Sequence, residues 1–166
     1  MTPQPCTVAA VQMVSGAEVE VNLATAERLT REAARRGADM VVLPEFFAIF
    51  GHHDHDKCKV AEPHGLGPES PMQNRLAGLA AELGITLIAG TLPIRSPDPH
   101  RVFNTVLVYD PQGLELARYD KLHLFAFDNG TERYDEASSL VPGKSPVACT
   151  TAAGRTGLSV CYDLRF

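Results

Sequence analysis

Two short apolar runs with a helical pattern between them restrict this chain more than any other feature. Residues 7–13 (TVAAVQM) and 40–43 (MVVL) are β-capable and carry no charge, the pattern of strands buried in a sheet. Between them Asn22 is a suitable N-cap, helical sequence runs to Arg36, and Gly37 stands just past its end. Strand, helix and strand in that order pair the strands in parallel through a right-handed crossover. The expected fold class is α/β.

The remaining segments extend that sheet. Pro44 halts the second strand, and residues 46–69 are polar, rich in Gly, Pro and His, and read as one long loop. Structureless segments of that length inside a compact domain usually serve function. Ser70 and Pro71 mark a helix start, and Met72, Leu76, Leu79, Ala80 and Leu83 recur at three- and four-residue steps until Gly84 ends it. Strands are expected over 85–94 and 102–109, then a turn at Asp110-Pro-Gln-Gly113 and a further strand over 114–119. From Lys121 to Gly154 the chain reads mostly as loop, and 156–160 as a last strand ending at Cys161. Two helices cover only one face of such a sheet. Residues 1–166 are therefore expected to be the N-terminal part of a single larger domain. The second sheet face would be open and apolar, and the chain inactive alone.

The bulk numbers exclude some function classes. The chain has 166 residues, 45% of them hydrophobic and 21% charged, with net charge −5, an ordinary globular profile. No basic cluster suits a phosphate backbone, so nucleic acid is not an expected partner. No apolar run approaches the roughly 18 residues of a membrane span, and residues 1–6 carry no secretory pattern. The four cysteines lack CxxC spacing and read as free thiols of a reducing compartment, the cytoplasm.

Three polar residues fall where α/β sheets place active sites, at strand C-termini: Glu45, Lys121 and Cys161. Singly, each is an ordinary loop carboxylate, surface cation or packing thiol. Together they make a complete nucleophilic site. A thiol is mostly protonated at neutral pH and needs a base or a nearby cation. Glu45 can take its proton and later return it to a leaving amine, while Lys121 can hold the oxyanion of a tetrahedral intermediate. The backbone N–H of Tyr162, on the turn after Cys161, is a second oxyanion donor by analogy with nucleophile elbows. Such a set cleaves an amide through a thioester and requires no metal and no organic cofactor.

At these residues the chain resembles a family. Val42-Leu-Pro-Glu45, Tyr119-Asp-Lys-Leu-His-Leu124 and Gly157-Leu-Ser-Val-Cys-Tyr-Asp-Leu-Arg-Phe166 are similar to the signature blocks of the nitrilase superfamily of carbon–nitrogen hydrolases, and Ala9-Ala-Val-Gln-Met13 is similar to its opening. The resemblance implies Glu45 as base, Lys121 as oxyanion-stabilising cation and Cys161 as nucleophile. It adds Glu136, ahead of Pro142-Gly143, as a supporting carboxylate whose alternative is a solvated loop residue. It implies a four-layer α-β-β-α sandwich, of which the C-terminal portion is absent here. Cys161-Tyr-Asp-Leu-Arg-Phe166, with no Trp after the nucleophile, looks like the branch of ω-amidases and deaminated-glutathione amidases. Their substrates are small linear amides bearing a carboxylate. Arg165 could pair with that carboxylate, or structurally with Asp163 or another acid. The reaction implied is hydrolysis with release of ammonia; the alternatives are a nitrilase, an N-carbamoyl hydrolase or an inactive fragment. The expected partners are a small-molecule amide and, in the full-length form, further copies of the same chain, with no membrane.

Other features carry less. His52, His53, Asp54, His55, Asp56 and Cys58 crowd one loop, but their adjacency is not a metal-ligand spacing. His123 alternates with apolar neighbours and is expected to be structural. Cys6, Cys58 and Cys149 have no assigned role.

Overall fold

The computed structural model describes residues 5–166; the secretory-pattern reading of residues 1–6 falls mainly outside them. Five strands form the main sheet in the order β1 (Val8–Ala10), β2 (Met40–Val42), β3 (Thr86–Arg95), β4 (Val102–Tyr109) and β5 (Glu115–Asp120). β1, β2 and β3 are parallel, and β3, β4 and β5 antiparallel. Helix α1 (Val19–Arg35) makes the first crossover; a single turn, α2 (Asp56–Lys59), and helix α3 (Pro71–Leu83) lie on the second. The expected α/β class holds.

Alternation sorts the strands' side chains onto two faces. Val41, Leu87, Ala89, Leu107 and Tyr109 face the helices and pack with Leu23 and Ala26 of α1 and Leu76 and Leu79 of α3. Each such leucine, almost fully buried, contributes about 2 kcal/mol. Met40, Ile88, Val106, Val108 and Tyr119 form the opposite face.

That opposite face is not open, contrary to expectation. Residues 121–154 are mostly loop, as expected, but they are not without strands. They contain a hairpin of β6 (Ala126–Asp128) and β7 (Arg133–Asp135), and a strand β8 (Ala148–Thr151) that pairs antiparallel with β9 (Gly154–Gly157). The second hairpin folds back over the sheet, and Val147, Cys149, Leu158 and Val160 pack on the second-face residues.

Three local expectations also need correction. β1 is a partly exposed edge strand rather than a buried one, with Val8 48% exposed. Asn22 is not the N-cap; it lies in the first turn of α1, where its amide donates to Gly16 O and Ala48 O and ties two loops together. Ser70 stands at the N-cap of α3, as expected, but its hydroxyl donates to Pro63 O rather than bonding the first turn. The buried Glu62 carboxylate replaces it, accepting the N–H groups of Met72 and Gln73.

One glycine governs the approach of the strands near the site. At Gly90, beside the β3 irregularity, a Cβ would fall 2.0 Å from Pro44 O and 2.2 Å from Leu43 O. Only glycine lets β3 press on the chain just before Glu45.

Candidate active site

Glu45 stands two residues beyond Leu43, whose N–H still donates to Ile88 O. The next residue, Phe46, adopts φ 54°, and its N–H donates to Thr91 Oγ1 at 2.7 Å. A left-handed non-glycine of this kind costs about 1–2 kcal/mol and is tolerated where surrounding contacts impose it. Asn104 Nδ2 donates to Glu45 Oε1 at 2.8 Å and fixes the carboxylate from β4.

Lys121 follows β5 directly and is wholly buried. Its ammonium lies 3.1 Å from Glu45 Oε1 and 2.9 Å from Glu136 Oε2. Burial opposes the charge, but the hydrogen bond to Glu136 and the charges of both carboxylates outweigh it and hold Lys121 above the ordinary lysine range. Glu136 opens a 3-10 turn over Glu136–Ser138, and its Oε2 also accepts Phe125 N–H at 2.7 Å. It is not a solvated loop carboxylate.

Cys161 is placed differently from expectation. No strand runs to it: β9 ends at Gly157, and Cys161 opens a 3-10 turn over Cys161–Arg165 with φ 49°. The strand expected over 156–160 is displaced because 154–157 pair back on β8. A nucleophile on a strained turn projects from the backbone, as in nucleophile elbows. Glu45 and Cys161 line one cavity of about 230 Å³, walled by Val42, Ile88, Val106 and Val160. Although the residue as a whole is exposed, loss of hydration pushes its thiol above the ordinary range. The Glu45 charge adds to that shift and Lys121 opposes it. The neutral thiol is thus favoured at Cys161, and the Lys121 ammonium stands beside Glu45.

Asp163 was not expected to hold the site, yet it ties the Cys161 turn to the Lys121 segment. Its carboxylate accepts Tyr119 O–H at 2.6 Å, His123 N–H at 2.9 Å and Val160 N–H at 2.9 Å, and meets His123 Nδ1 at 2.8 Å. His123 is accordingly structural, its ring stacked on Phe166 at 3.9 Å. Desolvation of Asp163 works against its charge, but these donors hold its carboxyl below the usual range, and burial with the Asp163 bond pushes Tyr119 up to about 12. A lowered carboxyl pKa stabilises the fold above its unfolded value and loses that effect as pH falls through the folded one. Asp163→Asn is therefore expected to cost about 3 kcal/mol at neutral pH. Denaturant melts should show the gap to wild type closing below about pH 4; a gap independent of pH would contradict this role.

Of the remaining expected residues, Tyr162 is half-buried with its ring edge-on to Phe125 and Phe166. Its N–H belongs to the open start of the turn and has no acceptor among the described residues. Arg165 is exposed and makes no ion pair among the described residues; Asp163, its suggested structural partner, is taken by Tyr119 and His123. In the His-rich loop Asp56 pairs with Lys59 and accepts His53 N–H, and Cys58 meets His100 O. Among the described residues no His, Cys, Asp and Glu cluster is arranged for a metal ion. Nor is any helix long and apolar enough to cross a membrane. Asn104 and Asp163 are what sequence reasoning missed. An amide inside the apolar run VFNTVLVY was the available signal for Asn104.

A family model described as carbon-nitrogen hydrolase matches residues 7–166. The chain belongs to the carbon–nitrogen hydrolase family. The chain is 36% identical over 169 residues to a deaminated glutathione amidase of Synechocystis, covering 98% of the chain and 60% of that relative. It is 34% identical over 146 residues to the chloroplastic ω-amidase of Arabidopsis thaliana, covering 87% of the chain and 39% of that protein. Among solved structures, the NitFhit protein of C. elegans superposes with a TM-score of 0.85 at 31% identity, over 98% of this chain and 40% of that one. The chain thus spans at most about 60% of the length of these relatives. The architecture is that of the nitrilase superfamily, and a helix layer on a sheet is consistent with half of its α-β-β-α sandwich.

Proposed function

We propose that this protein hydrolyses the carbon–nitrogen bond of a small linear amide through a thioester on Cys161. One observation carries the reading: a wholly buried lysine held between two carboxylates, one of which shares a cavity with an accessible cysteine. Glu45 takes the thiol proton as sulfur attacks the amide carbon. Lys121 Nζ and the Tyr162 N–H stabilise the oxyanion. The tetrahedral intermediate collapses, the C–N bond breaks, and Glu45 returns the proton to the departing nitrogen, which leaves as ammonia. Water deprotonated by Glu45 then attacks the thioester, releasing a carboxylic acid and restoring the thiol. Glu136 keeps Lys121 charged and in place. The relatives' names, ω-amidase and deaminated glutathione amidase, support an amide over a nitrile.

The test is ammonia release from a short amide and from the nitrile of the same carbon chain. Acid-quenched samples are also examined by mass spectrometry for an acyl group on the peptide containing Cys161. Ammonia from the amide, with an adduct on that peptide, is the expected result. Turnover of the nitrile in preference, or an adduct confined to another residue, would overturn the reading.

A further inference from the structure

Among the described residues, one half-buried side-chain cation, Lys57, has no carboxylate within ion-pair distance. Among the described residues, the other lysines and arginines without an ion pair (Arg28, Lys144, Arg155 and Arg165) are exposed. Lys57 is half-buried in α2, and its Nζ donates to Ser139 Oγ at 3.3 Å and lies 5.1 Å from the centre of the Phe46 ring. An ammonium has three donors, so two remain without an acceptor among the described residues. Partly desolvated charge without a counter-ion is costly and marks candidate ligand sites.

What surrounds Lys57 tells what it would hold. It lines a cavity of about 290 Å³ with Phe46, Phe50, His52, His53 and Glu136. Phe46 and Phe50 meet edge to face at 6.3 Å and give an apolar wall. Glu136 is hydrogen-bonded to Lys121 and to Phe125 N–H and acts on Lys57 only through its charge, as Asp54 and Glu45 do, and burial outweighs all three. Asp54 also lines the cavity but is exposed and forms no ion pair. Ser139, which anchors Lys57, follows the 3-10 turn that delivers Glu136 to Lys121. The cavity therefore reaches Glu136, whose partner Lys121 also holds Glu45, and presents an apolar wall and one cation outside any ion pair.

We propose that Lys57, rather than Arg165, binds the terminal carboxylate of the amide substrate, with Phe46 and Phe50 along its methylene chain. This rests on the amidase reading above and assigns the residue that meets the carboxylate end of a short aliphatic ω-amide. Burial lowers the Lys57 pKa, so a bound carboxylate would also relieve the cost of its charge.

The experiment compares kcat/KM for succinamic acid with that for butyramide, its uncharged counterpart, in wild type, Lys57→Met, Lys57→Arg and Arg165→Met. The preference for succinamic acid is expected to fall about tenfold or more in Lys57→Met through KM, the size of a lost charge-assisted contact. Lys57→Arg should retain part of it, and Arg165→Met should keep it. An unchanged ratio in Lys57→Met, an equal loss on both amides, or a collapse only in Arg165→Met would each overturn the proposal. Calorimetric titration of succinamic acid into Cys161→Ala, with and without Lys57→Met, reads the same contact without turnover. Wild type inactive on both amides would defeat the amidase reading, while Lys57-dependent binding in the titration would still uphold the carboxylate site. Loss of binding in neither background would reject it.

Discussion

Cys161→Ala is expected to lower kcat by at least about four orders of magnitude, because residues acting as one nucleophilic unit fail together when the nucleophile is removed. Neither Glu45 nor Lys121 can form a covalent intermediate in its place; what survives is binding and the oxyanion donors. The fold should be unaffected. Cys161 is exposed and contributes no side chain to the packed clusters, so melts of wild type and variant should agree within about 1 kcal/mol. Alanine keeps the Cβ and hence the strain of the φ 49° backbone. Cys161→Gly, which relieves it, should be equally inactive but no less stable than wild type. Cys161→Ser should also be inactive, since Glu45 is far too weak a base for an alcohol. Ammonia release above a tenth of wild type in the alanine variant would remove Cys161 from the proposal.

The parts of this fold that the sequence announces are those whose signal is local. MVVL followed by Pro44, and the apolar face of 72–83 closed by Gly84, mark β2 and α3 because burial and backbone geometry act within a few residues. The strand-end positions of Glu45 and Lys121 follow from the same patterns. The second hairpin is harder, because Ala148–Thr151 and Gly154–Gly157 are short, half-polar strands whose pairing depends on packing against β5. The first hairpin was readable: Asn129-Gly130, with Gly130 at φ 82°, is a strong turn signal between Ala126–Asp128 and Arg133–Asp135. Asn22 does not cap α1, and Ser70 stands at the α3 N-cap without bonding its first turn, for one reason. Each has the side chain of a helix cap, but tertiary partners captured it, Gly16 and Ala48 for Asn22 and Pro63 for Ser70. Asp163 joins residues some forty positions apart in sequence. No pattern along the chain reveals such a hub; only the folded turn does.

Lys121→Met is the second change with a large expected effect, and it separates the lysine's electrostatic roles from mere packing. Methionine fills most of the buried space, so little cavity results. What it leaves is Glu45 and Glu136 without the cation that lay 3.1 Å and 2.9 Å from them. Removing one partner of a buried ionic cluster costs about 3–5 kcal/mol. The sign with pH follows from which groups remain. In wild type the raised Lys121 pKa gives stability that is complete below the unfolded lysine value and is lost only as pH rises through the folded one, so the neutral range is flat. In the variant two carboxylates compete for the space of one cation, and the pKa of one of them rises. Proton uptake then relieves the repulsion, so the variant's deficit should shrink between about pH 8 and pH 5. Catalysis should not recover with it. The proton that stabilises the variant sits on a carboxylate, Glu45 or Glu136, and the donor for the oxyanion is still missing, which by itself lowers kcat about a thousandfold. Thermal melts and ammonia release across that pH range check both halves. A deficit that stays constant with pH would mean the two carboxylates do not share the lysine's charge. Activity within tenfold of wild type would mean the oxyanion is held elsewhere.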